Sequence, residues 1–291
     1  MNVALAKYFS VAVTVIAIAI VTIALAVHPH LPRETLLALL GAAVGFGAVS
    51  GLVALQRSYF IAHSMPHIVL FAAPLAALME YYLGGNSWVY VVGITLLVGL
   101  GVGLLREKLE SDVAASIAIA VTASLSTLTI YHAVTVTGAV SVYALVVGDP
   151  LLATLDDALL ALLVGLATLL ASLAMAREIG LIGVDRVLAY SAGVKVRLYE
   201  SGALALTAIV SATMVKITGY LIVAVSLLLP GAVSAMMMRG SRLHVIASTV
   251  AALLSFMVGL HVSLYLDIPI SAGVGIAMLV MFAIAWVLKR G

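Results

Sequence analysis

Two histidines stand one helical turn apart in an apolar stretch, and their type and spacing suit metal chemistry. His63 and His67 lie in the run SYFIAHSMPH, which begins at residue 58. On a helix, residues i and i+4 share a face, so both imidazoles can approach one ion, as paired histidines do in zinc sites. Imidazole suits zinc, iron, nickel and copper, whereas manganese prefers more oxygen ligands. The spacing predicts that His63 and His67 contribute to a metal site; the alternative is that both are hydrogen-bonded packing residues.

Other common chemistries lack their motifs in this sequence. The chain contains no cysteine, which excludes disulfides and thiolate metal sites. Ser64, rather than the general-base glutamate of zinc proteases, follows His63. No Gly-Lys dipeptide occurs, so no phosphate-binding P-loop is present. We therefore expect a protein that is not an enzyme and that holds no permanent cofactor; if it uses ATP, another polypeptide hydrolyses it.

The composition predicts that these residues lie in a membrane protein. Of 291 residues, 65% are apolar and only 9% are charged, with a mean hydropathy of +1.28. An ordinary globular chain is about half apolar and a quarter charged. We expect an all-α, polytopic integral membrane protein that forms a single transmembrane domain over residues 1–291, with the lipid bilayer as its surroundings and no nucleic acid partner.

About ten membrane segments are predicted from the apolar runs, since about 20 apolar residues span a bilayer as a helix. The predicted segments are 8–27, 35–56, 60–82, 87–105, 112–131, 155–176, 199–217, 219–237, 243–265 and 270–288. The run from 199 to 237 is too long for one crossing, and Gly219 and Pro230 offer natural breaks. His63 and His67 would then lie about 9 and 15 Å beyond Arg57 at the edge of their span.

The basic residues orient these segments. With a cytoplasmic N-terminus, twelve Lys and Arg side chains fall inside, only Arg33 falls outside, and Lys216 lies within or at the end of a span. The positive-inside rule therefore predicts cytoplasmic N- and C-termini in a multi-pass protein of the cell membrane. The first segment, 8–27, also resembles a cleaved signal peptide, because Ala24-Leu25-Ala26 follows its apolar run. We favour a retained helix because the run is long for a signal core.

The longest predicted cytoplasmic connection is residues 177–198. It is amphipathic and carries four basic residues. It is either a solvated loop with an interfacial helix or a docking helix for a cytoplasmic partner, and its periodicity does not choose between the two.

Several motifs, taken in order, resemble the permease subunits of manganese/zinc/iron-type metal ABC importers over residues 35–288. In that family an Arg-bearing helix end precedes Asp-x-x-Ser-His-Ala-x-x-Pro-Gly. Here His67 matches the family histidine, while His63 stands where the family has aspartate, and Phe71-Ala72 replace its Pro-Gly. The further matches are Glu110-Ser111-Asp112, Gly148-Asp149, Lys216-Ile-Thr-Gly219, Leu228-Leu-Pro230-Gly-Ala-Val-Ser-Ala235, Gly259-Leu-His-Val-Ser263 and Asp267-Ile-Pro269.

The resemblance also implies partners and a docking segment. Asp185, Ala189 and Gly193 fit the family's cytoplasmic Asp-x3-Ala-x3-Gly helix, which docks on the ATPase. The family implies a homodimer, two cytoplasmic ATPase subunits and an extracytoplasmic metal-binding protein. The helix at 8–27 is additional to the shorter family members.

These observations predict the permease subunit of an ATP-driven importer of divalent transition-metal ions (zinc, manganese or iron), with the His pair in its pathway. A permease for another substrate, such as a metal chelate, is the nearest alternative. A secondary transporter or channel that uses the His pair as a proton relay is another. A membrane-embedded metalloenzyme is a third, but no carboxylate lies within one turn of His63 or His67 to act as its base.

Overall fold

The computed structural model describes residues 31–138 and 148–290, and every regular element among them is a helix. The helices are α1 (Arg33–Gln56), α2 (Tyr59–Leu83), α3 (Ser87–Leu105), α4 (Ser111–Thr137), α5 (Leu155–Val184), α6 (Arg186–Ser191), α7 (Val196–Met237), α8 (Ser241–Leu266) and α9 (Ile270–Arg290). A short 3-10 turn, Pro150–Leu152, precedes α5. The predicted all-α fold is confirmed.

Eight of the described helices are long and apolar enough to cross a membrane; the exception is the six-residue α6. Seven of these eight contain one predicted segment each, and α7 contains the predicted pair 199–217 and 219–237. The predicted segment 8–27 lies outside the described residues. The protein is therefore a multi-pass membrane protein.

Helix α1 lies at the centre of the bundle and is buried along most of its length. Its glycines allow two neighbours to approach closely. A Cβ on Gly41 would overlap the backbone of Ala161 in α5, and a Cβ on Gly47 would overlap the backbone of Thr249 in α8. Small residues at such contacts are how membrane helices pack without a hydrophobic driving force.

Helix α7 folds back on itself at Gly219, whose φ of 73° and ψ of 160° are not helical. A straight helix would place Gly231 about 32 Å from Val210. However, Gly45 of α1 packs against Val210, and Ser50, only about 7.5 Å further along α1, accepts a hydrogen bond from the Gly231 N–H at 2.7 Å. The two halves, 196–218 and 220–237, must therefore lie side by side, so α7 provides two membrane segments.

Proline has a different effect in this fold from the one predicted. Pro230 lies inside the second half of α7, and Pro66 and Pro74 lie inside α2, which continues through both. The expected break at Pro230 is therefore wrong, and Gly219 alone breaks the run. Membrane helices tolerate proline where neighbouring groups satisfy the freed backbone. Glycine supplies the left-handed φ that a sharp corner requires.

The predicted connection 177–198 is more helical than a loop. Helix α5 continues to Val184, α6 follows at once, and α7 begins at Val196. Asp185 separates α5 from α6 and caps α6, because its carboxylate accepts the N–H groups of Val187 and Leu188 at 2.8 and 2.9 Å. Apart from Asp185, the irregular part of the connection is therefore confined to residues 192–195.

We call the end of the bundle that carries Arg57, Arg106, Arg186, Arg197 and Arg239 the basic end. It contains the C-terminal ends of α1 and α3, the beginnings of α2 and α7, and all of α6.

Candidate metal site at the fold of helix α7

His63 and His67 lie on one face of α2, near its beginning at the basic end. Their ring centroids are 5.6 Å apart and the rings meet edge to face. Both side chains are half-buried, whereas Ser64 and Pro66 between them are buried. The i, i+4 spacing thus brings the imidazoles together, as the sequence predicts.

Tyr220 completes a cluster of rings around the pair. Its ring centroid is 5.9 Å from that of His67, and Phe60 flanks His63 at 6.5 Å. Tyr220 follows Gly219 directly, so the fold of α7 sets its position. The second half of α7 therefore begins with a residue beside the His pair.

The Nδ1 atom of His63 is buried and has no hydrogen-bond partner among the described residues. Leaving a buried polar atom unpaired costs about 1–3 kcal/mol. A buried polar atom without a partner in a native site calls for an explanation, and a bound ion or water is among the usual ones. At the His pair, the orphaned nitrogen is available to a ligand.

The two imidazoles alone would not complete a metal coordination sphere. Within the part of the chain that the structure describes, no third His, Cys, Asp or Glu joins them. A tetrahedral ion takes four ligands, so the remaining ligands would come from water, from another chain or from the transported species. Tyr220 is the polar side chain of α7 that contacts the pair.

The remaining histidines lie elsewhere. The Nδ1 atom of His261 is 2.8 Å from the Met257 carbonyl oxygen in its own helix. His244 is buried near the beginning of α8, and His132 is exposed near the end of α4, beside Tyr131. His28 and His30 lie outside the described residues.

The residues predicted to dock the ATPase surround α6 at the basic end. Asp185 caps the helix, and Ala189 is its buried residue. Gly193 lies beyond the helix in a turn with φ of 82°, and nothing lies within 4 Å of a Cβ built there. These three residues therefore span a short helix and its turn, and do not share one helical face.

An open groove of about 910 Å³ runs beside α6. Val187, Tyr190 and Leu198 line it and expose between 64% and 75% of their surface. Arg186, Lys195 and Arg197 line the same groove. Large exposed apolar side chains together with basic residues are typical of a surface that another protein covers.

Sequence reasoning missed two residues of interest. Tyr220 directly follows Gly219, and its place next to this predicted break could have marked it as a candidate. Glu200 bridges two arginines at the basic end, with Arg106 Nη2 at 3.1 Å from Oε1 and Arg186 Nη2 at 2.9 Å from Oε2. In the sequence, Glu200 stands out only as a single carboxylate that follows four basic residues. The sequence does not show which arginines it pairs with.

Comparisons with known proteins place the chain in a family. Residues 28–289 match the model of the ABC 3 transport family. The manganese import system permease protein ScaB of Streptococcus parasanguinis is 23% identical over 259 residues, which cover 88% of this chain and 90% of that protein.

Two solved structures share the fold. PsaBC from Streptococcus pneumoniae in complex with a Fab aligns with a TM-score of 0.75 at 18% identity, over 87% of this chain and 90% of that one. A transporter assigned to the metal-chelate ABC type, in an inward-facing conformation, aligns with a TM-score of 0.68 at 17% identity, over 96% and 98%.

The match over residues 28–289 covers nearly the whole chain and both described parts of the bundle. This chain therefore belongs to the ABC 3 transport family, as a membrane-spanning permease subunit without an ATPase domain of its own.

Proposed function

We propose that this permease imports divalent transition-metal ions, and that His63 and His67 bind the ion during its passage. The observation that carries the proposal is the His63–His67 pair, with centroids 5.6 Å apart and with an unpaired buried nitrogen on His63. Ionisable groups within a membrane are expensive and generally functional. The likeness to a manganese permease supports a metal substrate.

The His63–His67 pair is better suited to a transient site for a transported ion than to a permanent metal site. A pathway must bind its ion weakly enough to release it. Two imidazoles supply half of a tetrahedral sphere, and water or Tyr220 would complete it without a fixed carboxylate charge. Imidazole favours zinc or iron over manganese, so zinc and iron are the first ions to test.

The partners follow from the family and from the basic end. The chain lacks a P-loop, so a separate ATPase must supply the energy, and the groove beside α6 offers it a docking surface. Basic residues at that end favour the cytoplasmic side. A second copy of the chain and an external metal-binding protein would complete the importer.

A metal chelate is the second candidate substrate. Among the described residues, the site offers two imidazoles and no third metal-binding side chain. A chelated metal already has most of its ligands, so it requires few from the protein. Uptake of free ion compared with chelated ion separates the two candidates.

The test is uptake of radioactive zinc or iron by proteoliposomes that contain the permease with its ATPase. We expect His67→Ala to reduce uptake at least about tenfold, equivalent to about 1.4 kcal/mol. His132→Ala is the matched control, because this histidine is exposed and lies near the far end of α4. Wild-type uptake of every metal form by His67→Ala would show that the pair is only packing.

A further inference from the structure

A buried carboxylate at the basic end joins three parts of the bundle. Glu200, in the first turns of α7, bonds to Arg106 at the end of α3 and to Arg186 at the start of α6. Its side chain is only 10% exposed. Arg106 is held further, because its Nε donates to the Ser111 hydroxyl at 3.0 Å.

This arrangement differs from the ion pair beside it. Arg197 and Glu107 are 2.7 Å apart, but their side chains are 69% and 38% exposed. Exposed pairs contribute little to stability, because water screens both charges. Removing one partner from a buried pair is more costly, because it leaves a charge without compensation. Glu200 is therefore the strong connection at this end.

Helix α6 has few other attachments to the bundle. Ala189 is the one buried residue of its six, and Val187, Leu188 and Tyr190 are exposed. The Arg186–Glu200 pair is the side-chain bond that ties α6 to α7, and the buried Ala189 adds an apolar contact. A short helix with so few contacts can move when a partner binds its exposed face.

The same charges enclose a cavity below the His pair. It has a volume of about 30 Å³, room for about one water molecule. Ile61 and Ala62, which directly precede His63, line one part, and Arg106, Arg186 and Glu200 line another.

The charges around this cavity oppose a passing cation. Three arginines (106, 186 and 197) and two glutamates (107 and 200) line it, which leaves one net positive charge. A positively charged constriction is an electrostatic barrier to cations. An ion that left His63 towards the basic end would meet this barrier.

We propose that Arg106, Glu200 and Arg186 form an inner gate for the metal pathway, and that α6 opens it by carrying Arg186 away from Glu200. The inference rests on the proposed function, because it assumes that the ion leaves the His pair towards the basic end. Withdrawal of Arg186 removes the net positive charge and frees one carboxylate oxygen. A divalent cation binds such an oxygen well. Glu200 would thus have two roles: it connects α6 to α7, and once Arg186 leaves, it offers an oxygen ligand to the departing ion.

The absence of cysteine from this chain makes the gate testable. Ala62→Cys places one thiol in the cavity lining, at a site that is 2% exposed. Inside-out vesicles would be treated with 2-sulfonatoethyl methanethiosulfonate, a small reagent that does not cross membranes. We expect slow labelling in the Ala62→Cys parent and labelling at least about tenfold faster when Arg186→Gln or Glu200→Gln is added.

Glu107→Gln is the matched control, because it removes a carboxylate from the same cavity but leaves the connection to α6. We expect its labelling rate to stay within about twofold of the parent. The double variant Arg186→Gln with Glu200→Gln should label no faster than the faster single variant, since both break one interaction.

Equal labelling of the parent, the Glu200→Gln variant and the control would overturn the gate. Arg186 is 53% exposed, so Arg186→Gln keeps the test decisive if Glu200→Gln fails to fold. Repeating the labelling with His67→Ala separates the two proposals. A labelling difference that persists without metal uptake supports the gate even if the metal site is wrong.

Discussion

The fold of α7 at Gly219 gives the most direct prediction about stability. Its φ of 73° and ψ of 160° lie in a region that is essentially reserved for glycine. A side chain held there costs about 1–3 kcal/mol. We therefore expect Gly219→Ala to destabilise the permease by that amount.

The chain cannot avoid this cost by straightening. A continuous helix from Val196 to Met237 has 42 residues, about 63 Å, against a hydrocarbon thickness of about 30 Å. The turn of α7 at Gly219 also cannot shift away from the bundle to relieve the strain, because the backbone of Gly148 packs against the backbone of Thr218 and Gly219. The strain must therefore appear in the folded state.

The assay is thermal unfolding of the purified permease in detergent. At about 2–4 °C per kcal/mol, Gly219→Ala should lower the Tm by several degrees. Gly93→Ala in α3 is the matched control, because nothing lies within 4 Å of its added Cβ. Alanine there should leave the Tm unchanged or raise it slightly. Equal Tm values for the two variants would refute the assignment of a strained corner.

Three further predictions concern the metal site, the docking turn and the centre of the bundle. His63→Asp should keep metal uptake, because a carboxylate is also a metal ligand; complete loss of uptake by this variant would count against the site. Gly193→Trp should abolish co-purification with the ATPase while the permease alone still elutes as a folded species, because the bulky ring would occupy open space beside α6. Gly84→Trp is the control, because Gly84 also has a positive φ and open space around its Cβ but lies at the other end of α2; intact assembly of the Gly193→Trp variant would contradict the docking assignment. Gly47→Leu should prevent folding, since its side chain would overlap the Thr249 backbone, whereas Gly101→Ala in α3 meets nothing within 4 Å; normal expression of the leucine variant would show that α1 and α8 are less close than described.

The sequence predicts the helices well because membrane physics leaves few alternatives. A backbone in lipid must satisfy its own hydrogen bonds, so each long apolar run becomes a helix. The length limit then requires a break within 199–237, and Gly219 supplies it. Choosing between Gly219 and Pro230 needed the structure. A proline inside a helix is accommodated locally, whereas a reversal requires a φ that only glycine adopts readily.

The His pair can be predicted from the sequence, whereas the residues that surround it cannot. His63 and His67 are neighbours through helical geometry alone, so four residues of sequence suffice to place them together. Tyr220 reaches them through the reversal of α7, more than 150 residues later. Glu200 likewise meets Arg106 across 94 positions. Contacts of that separation depend on how helices pack, which one sequence does not specify.

The two ends of the bundle are held by different forces, and this difference bears on which end moves. At the end opposite the basic one, backbone meets backbone at Gly148 and Gly219, and any displacement there meets steric overlap. At the basic end, α6 is tied to α7 by the ion pair between Arg186 and Glu200, and Ala189 is its buried residue. Arg186 is 53% exposed, so water can solvate it when it leaves Glu200, and Glu200 then keeps its bond to Arg106; close-packed backbone, in contrast, cannot shift without overlap. A transporter that alternates access must be able to open at one end of its bundle. In this chain we expect the basic end, where α6 lies, to open.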